Sequence, residues 1–477
     1  MSAASSLYRK FQARAFAPVD NATLVLFRIA FGLLMTWEVV RYFQYGWIPR
    51  YWIEPQFHFK YYGFSWVHPW PGNGMYMVWA VLGLLALFIA AGFLYRVSAA
   101  LFFIGFTYCF LLDQASYLNH FYLVCLLSFL LIFLPAHRAF SIDAWLRPRL
   151  RSQVTPAWTI WLLRFQWAVV YFYGGIAKLS PDWLQGEPMR SWMSSTTTFP
   201  VIGRFFREEW AVHFVSYGGL FLDLLVAPLL LWRRTRIPAL CVAITFHLIN
   251  AYWFKIGIFP WLGIAGLALF LSPDWPRRLW SRLRPSAKSS TSKLAELPAS
   301  RHPRLVLGLL GAYAALQLLV PLRHLVYPGR VDWTYEGHRF SWRMKLLDRS
   351  AYARFYVIDE EIRKVTEVNP RTILRGRQSS KMAARPDMVL QFAHHLAATS
   401  PRSGNKPLRV HAQVIASVNG RRPEQLVNPE ANLAAQPRTL RHATWLMPMN
   451  EQLPTTRLGN LGPPNTDKAS TSESAGE

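Results

Sequence analysis

Residues 119–138 have the sequence NHFYLVCLLSFLLIFLPAHR. From Phe121 to Leu134 there is no charged side chain, and the run is opened by Asn119 and His120 and closed by Pro135 and Arg138. An uncharged apolar run of this kind belongs in the hydrocarbon of a bilayer. Eight more runs of similar character flank it, at 22–43, 74–93, 97–113, 157–177, 213–232, 237–252, 256–272 and 304–323. The sequence therefore predicts an all-α polytopic membrane bundle of about nine transmembrane helices. A crossing takes about 20 residues, so the shorter runs are expected to tilt, or to re-enter on the side they left.

Composition agrees with that reading: 52% of the 477 residues are hydrophobic and 15% aromatic, with a mean hydropathy of +0.14. The net charge of +26 could belong to a nucleic-acid binder, but no nucleic-acid motif accompanies it. The cations instead crowd five stretches: the N-terminus with Arg9, Lys10 and Arg14, the turn at Arg96, and residues 138–151, 233–236 and 277–304. Positive loops resist translocation, so these five mark one side. With an odd number of spans, the N-terminus is expected in the cytoplasm and the C-terminus outside. The first apolar run contains Arg28 and Glu38 and has no small-residue cleavage site after it, so it is expected to be an uncleaved span. Cys109, Cys125 and Cys241 all fall in apolar runs, where thiols act as small hydrophobes, and no disulfide framework is expected.

The chain divides into a cytoplasmic segment (1–21), the membrane domain (22–325), an outer-side soluble domain (326–452) and a disordered tail (453–477). After Val326 charge becomes frequent and apolar runs shrink. Residues 409–418 alternate, with Val410, Ala412, Val414, Ala416 and Val418 on one face, and Asn419–Gly420 follows as a turn signal. A strand is expected there, a second at 354–358 and a helix at 382–397, giving a mixed, β-containing domain. The tail is rich in Pro, Ser, Thr and Gly and cannot bury a core.

The expected topology brings several polar residues to the outer end of the bundle. Asn119 and His120 open the fourth span, Lys178 closes the fifth, His247 and Asn250 end the seventh and His324 ends the ninth. Ionisable groups in or beside spans cost about 2.5–3.5 kcal/mol at the bilayer centre on insertion scales, so they tend to be paired or functional. Each also has a plainer role, since a terminal lysine can snorkel to the headgroups and a single histidine can be a hydrogen-bonded core residue. Arg28, Arg164 and Asp223 lie deeper and are expected to tie helices together. The spacing of His120, His247 and His324 does not support a metal site.

At Lys178 the local string GGIAKLSPDW (174–183) resembles the segment of the vitamin K-dependent gamma-glutamyl carboxylases that carries their active-site lysine. Further similar strings follow in the same order: LFRIAFGLLM (26–35), FLYRVSAALF (93–102), LLDQASYLNHFYL (111–123), FHLINAYWFKIGIF (246–259), SPDWPRRL (272–279) and FSWRMKLLDRS (340–350). The resemblance spans about residues 20–450. It implies an enzyme that couples oxidation of vitamin K hydroquinone, or a menaquinol-type naphthoquinol, to its 2,3-epoxide with carboxylation of a protein glutamate, using O2 and CO2 and no metal. It further implies Lys178 as the base that deprotonates the hydroquinone and His120 as its catalytic partner. Asn119, Trp342 and Met344 would hold the quinone, and Arg349 and His324 would lie on the glutamate side. RHATW (441–445) resembles a segment with a glutamate-contacting arginine; His442 aligns there, with Arg441 beside it. An amine acts as a base only when neutral, and burial at the lipid boundary favours that form. The partners implied are the lipid membrane, an isoprenoid quinone and a glutamate-containing protein or peptide. The absence of a cysteine pair joining the two regions points to a bacterial member in the plasma membrane. Two other readings remain open: a quinol oxidase without carboxylation, and a transport or binding protein in which Arg28, Arg164 and Asp223 carry the function.

Overall fold

The computed structural model describes residues 3–195, 203–254, 256–283 and 301–453; the expected tail from 454 onward lies outside them. An amphipathic helix, α1 (Ala3–Ala15), precedes strand β1 (Pro18–Asp20). Helices α2 (Ala22–Gln44), α3 (Gly74–Ala91), α4 (Tyr95–Leu111) and α5 (Asn119–Phe133) lead to strand β2 (Val154–Pro156). Then come α6 (Ala157–Ala177), α7 (Glu209–Leu231), α8 (Arg236–Phe254), α9 (Phe259–Leu267), α10 (Trp275–Leu283) and α11 (Pro303–Leu319).

Each of the nine apolar runs is thus helical, but among the described residues only α2, α3, α7, α8 and the segment Pro303–Val326 are long and apolar enough to cross a membrane. By length and composition, five of the nine expected spans meet that measure among the described residues. The shortfall has physical causes. At 1.5 Å per residue α4 and α5 reach about 26 and 22 Å, short of the roughly 30 Å hydrocarbon layer. α9 has 9 residues, and α6 carries Arg164 and Gln166 mid-helix.

Backbone pairing clamps one end of the bundle. β1 and β2 pair antiparallel, with Val19 opposite Thr155. Arg277 binds Asp20 at 2.9 Å, and Leu94 and Tyr95 donate their N–H groups to Asp143. Arg28, fully buried, donates to the carbonyls of Ala90, Ala136 and Phe140 at 3.2, 2.9 and 2.5 Å. Arg164 donates to Leu269 and Leu271 at 2.7 and 2.8 Å. Both arginines therefore satisfy carbonyls that loop and helix ends leave open. Four basic stretches, at the N-terminus, Arg96, 138–151 and Arg277, are gathered at this end.

The C-terminal region folds as one antiparallel sheet in the order β4-β3-β5-β6, with β3 (Arg349–Asp359), β4 (Lys364–Val368), β5 (Arg409–Val418) and β6 (Glu424–Gln425). The alternating run is β5, and the five apolar residues of its inner face are all buried. Asn419 (φ 54°) and Gly420 (φ 75°) both take left-handed conformations, as a tight two-residue turn requires. The helix expected at 382–397 is instead two, α12 (Gly376–Ala383) and α13 (Pro386–Thr399). Pro386 cannot continue α12, because it has no N–H to donate, but it suits the first turn of a new helix. Phe355 on β3 meets Phe392 on α13 edge-on at 4.9 Å. Phe59 and Ala115, from loops of the helical region, belong to the same buried cluster, so the two regions share a core.

Candidate functional site

Two glycines let α6 and α7 approach closely near the end of α6. A Cβ on Gly175 would lie 2.7 Å from the Leu224 side chain, and one on Gly174 3.1 Å from Asp223 Oδ2. That closeness places the Asp223 carboxylate against the Lys178 ammonium in a buried ion pair. Lys178, the first residue past α6, also sits 5.2 Å from the Trp183 ring centroid. Asp223, expected to be a helix tie, is thus the direct partner of the expected base. Burial is thus not the only influence on this amine, because a carboxylate lies directly against it.

Asn119 and His120 begin α5, whose other end leads into the basic 138–151 loop, so they and Lys178 lie at the same end of the bundle. Asn119 is fixed from two sides: Tyr117 Oη donates to its Oδ1 at 2.9 Å, and its Nδ2 donates to the Arg343 carbonyl at 3.4 Å. The Phe340 N–H in turn donates to Tyr117 Oη at 2.8 Å. The next residue on that strand of contacts, Met344, has its Cε 3.7 Å from where a Cβ on Gly174 would be. The segment 340–344 therefore spans from Asn119 to the Lys178–Asp223 pair. His120 packs its ring on Phe121 and Phe259, at 4.8 and 6.1 Å. His247 lies across the same Phe259 and meets Tyr171 Oη through Nε2 at 2.7 Å.

Segment 335–345 is strained. Tyr335, Phe340, Trp342 and Lys345 all have positive φ, between 47° and 63°, a conformation that costs a non-glycine residue about 1 kcal/mol or more. Trp342 is fully buried against Tyr122, ring centroids 5.0 Å apart, and its Nε1 has no partner.

On the sheet side Arg349 donates through Nη1 to the carbonyls of Asp332 and Trp333 at 2.7 and 2.8 Å, and its guanidinium lies 4.9 Å from the Tyr335 ring. Its Nε and Nη2 are buried without a partner, and burial lowers its pKa to about 10. His338 stacks on Tyr335 at 4.1 Å; burial, then Arg343, Arg385, Arg339 and Arg349, hold it well below the usual histidine range. His324 is turned to the Pro321 carbonyl at 2.8 Å. Arg441 is exposed, whereas its neighbour His442 is tied to Glu336 at 2.8 Å.

Sequence reasoning missed Asp182, four residues past Lys178. It accepts Arg421 at 2.6 and 2.9 Å, Arg330 at 2.7 Å and Asn419 at 2.8 Å. Burial pushes this carboxyl up, but hydrogen bonds from Arg421, Arg330 and Asn419 outweigh it and hold the pKa at about 2. Tyr117 was also missed as the residue that aims Asn119. The Ser-Pro-Asp-Trp string was the available signal for Asp182, as its Ser180 oxygen caps a short helix, Pro181–Leu184. Among the described residues no group of three His, Cys, Asp or Glu side chains is placed to hold a metal.

Membrane-crossing helices, a sheet domain fused to their far end and a buried lysine–aspartate pair at the seam define a class: a membrane protein with a polar site at its boundary. A family model for the HTTM domain matches residues 16–275, and one for the vitamin K-dependent gamma-carboxylase lumenal domain matches residues 302–452. The chain belongs to the vitamin K-dependent gamma-carboxylase family. No solved structure matches it.

Proposed function

We propose that the protein is a membrane enzyme of the gamma-glutamyl carboxylase type that takes a naphthoquinol at the Lys178–Asp223 pair and a glutamate side chain at Arg349. The observation that carries this reading is the buried pair itself, reached by Met344 of the strained segment. Transfer of a proton from Lys178 to Asp223 would leave Nζ with a free lone pair, able to accept a proton from an acidic hydroxyl. Both side chains are buried, so solvent screens that transfer little.

The residues fit a planar aromatic diol. Trp342 and Tyr122 offer an aromatic wall, the unpartnered Nε1 of Trp342 offers a donor, and Tyr117 keeps Asn119 oriented beside it. Trp342, Met344 and Asn119 would hold the quinol, with His120 at the edge of the site. When bound, the quinol supplies the O2-driven oxidation to the 2,3-epoxide whose free energy lets a glutamate γ-proton be removed and CO2 added. The unpartnered Nε and Nη2 of Arg349 suit a carboxylate, which binds guanidinium edge-on with two hydrogen bonds. Arg441, being exposed, gives no support to a role in the glutamate pocket.

The bundle is read as crossing the bilayer with its basic end in the cytoplasm and the sheet domain outside, the shorter helices tilting or re-entering. The clamp at the basic end supports this sidedness. A transport reading receives no support from Arg28 or Arg164, both spent on backbone carbonyls. The deciding experiment supplies the purified protein with reduced naphthoquinone, O2, labelled bicarbonate and a glutamate peptide, beside K178A. Epoxide with labelled peptide, both lost in K178A, is the expected result. Epoxide without label would leave a quinol oxidase, and neither product from folded protein would overturn the proposal.

A further inference from the structure

Three amphipathic elements at the basic end are too short to cross a bilayer and turn apolar side chains outward. On α1, Leu7 and Phe11 are 67% and 52% exposed and stand one turn apart, and Lys10 and Arg14, also exposed, flank them at i+3 spacing along one edge of the same face. On α10, the exposed Leu279 and Leu283 repeat that spacing, with Arg278 and Arg282 about 100° round the helix from them. The short helix Ile142–Leu146 exposes Trp145 (71%) and Leu146 beside Arg147 and Arg149.

These elements are held together by the fold. α1 runs into β1, β1 pairs with β2 just past the Ile142–Leu146 loop, and Arg277 of α10 binds Asp20 of β1. The Phe11 ring lies 6.3 Å from Trp161 at the start of α6, which sets α1 against the bundle at the level where the spans emerge. In water such a collar would expose an apolar patch that soluble proteins avoid. Lying in the plane of the interface, each helix can sink its apolar side among acyl chains and leave its cations at phosphate level.

We propose that this collar is a binding surface for anionic phospholipid, with α1, the Ile142–Leu146 helix and α10 lying flat in the headgroup layer. Charge complementarity chooses the occupant. The cationic sides face the same layer as the apolar sides, so a lipid headgroup satisfies both halves of each helix at once, whereas a soluble anion satisfies one. Each Lys or Arg at such a surface adds several-fold to the preference for acidic over zwitterionic lipid.

The test uses the full chain in nanodiscs of phosphatidylcholine with or without phosphatidylglycerol. It measures retained phosphatidylglycerol by native mass spectrometry and thermal unfolding in each disc. The wild type should enrich phosphatidylglycerol about tenfold over its bulk share and melt higher in its presence. K10Q/R14Q/R278Q/R282Q should lose most of that enrichment, L279Q/L283Q should weaken retention of all lipids, and charge-keeping R14K/R278K/R282K should behave as wild type. All these positions are exposed, and equal far-UV circular dichroism would confirm that each variant is folded. Undiminished enrichment in the quadruple variant would overturn the proposal. So would equal stabilisation by inorganic phosphate, since the charges would then be answering a solute rather than the bilayer.

Discussion

Replacing Asp182 with asparagine tests whether the seam beneath the site is as tight as its geometry implies. The carboxylate is 2% exposed and its titration is moved from an ordinary 3.8 to about 2. At 1.36 kcal/mol per unit that shift corresponds to roughly 2 kcal/mol of stability at neutral pH. Because the folded value lies below the unfolded one, this contribution is fully present above about pH 4 and is lost as pH falls toward 2. Asparagine also strands Arg421, whose side chain is 4% exposed, so D182N should cost about 3–5 kcal/mol, the penalty for removing one partner of a buried pair. Arg330, 38% exposed, contributes little of this because water screens it. Guanidinium unfolding in detergent micelles, followed by circular dichroism, measures the loss. R421Q should be similar, and the double variant should cost far less than the sum, with a coupling above about 1.5 kcal/mol. A loss in D182N below about 1 kcal/mol, or strict additivity with R421Q, would show the network to be no better than a surface pair and refute the reasoning.

D223N leaves the Lys178 charge buried and should destabilise by about 3–5 kcal/mol, whereas K178M/D223N should recover most of that loss in the same unfolding assay. G175A puts a methyl group into the Leu224 side chain and backbone and should cost about 1–3 kcal/mol, read as a lowered melting temperature. Y117F removes the donor to Asn119 and the acceptor for the Phe340 N–H. It should destabilise by about 1–3 kcal/mol and raise the KM for reduced naphthoquinone more than it lowers kcat.

How much of this was legible in the sequence follows the physics of each element. Apolar runs announced the helices, because hydrophobicity is local, and the 409–418 alternation announced β5. Which helices would reach full spanning length was not legible, since it depends on where each helix ends and on polar residues such as Arg164. The break at Pro386 could have been taken from the proline itself; the apolar content on either side concealed it. Lys178, Asn119 and His120 were marked as sharing one end, and the chain's connections put them there. The Lys178–Asp223 pair could not be foreseen, because it rests on Gly174 and Gly175 letting two helices approach. Nor could the Asp182 network, whose partners lie 148 to 239 residues away.

The left-handed residues of segment 335–345 carry a consequence for how side chains are kept there. Glycine would relieve the backbone at Tyr335, Phe340, Trp342 or Lys345, yet it would also delete the ring or alkyl chain that lines the seam. Replacing Lys345, which is exposed, therefore separates the two effects most cleanly. Loosening should prevail at that position, whereas at Trp342 the lost wall should. The protein thus holds its aromatic surface in place at the expense of local comfort, and thermostability screens that reward glycine there would drift toward quieter backbones with emptier sites.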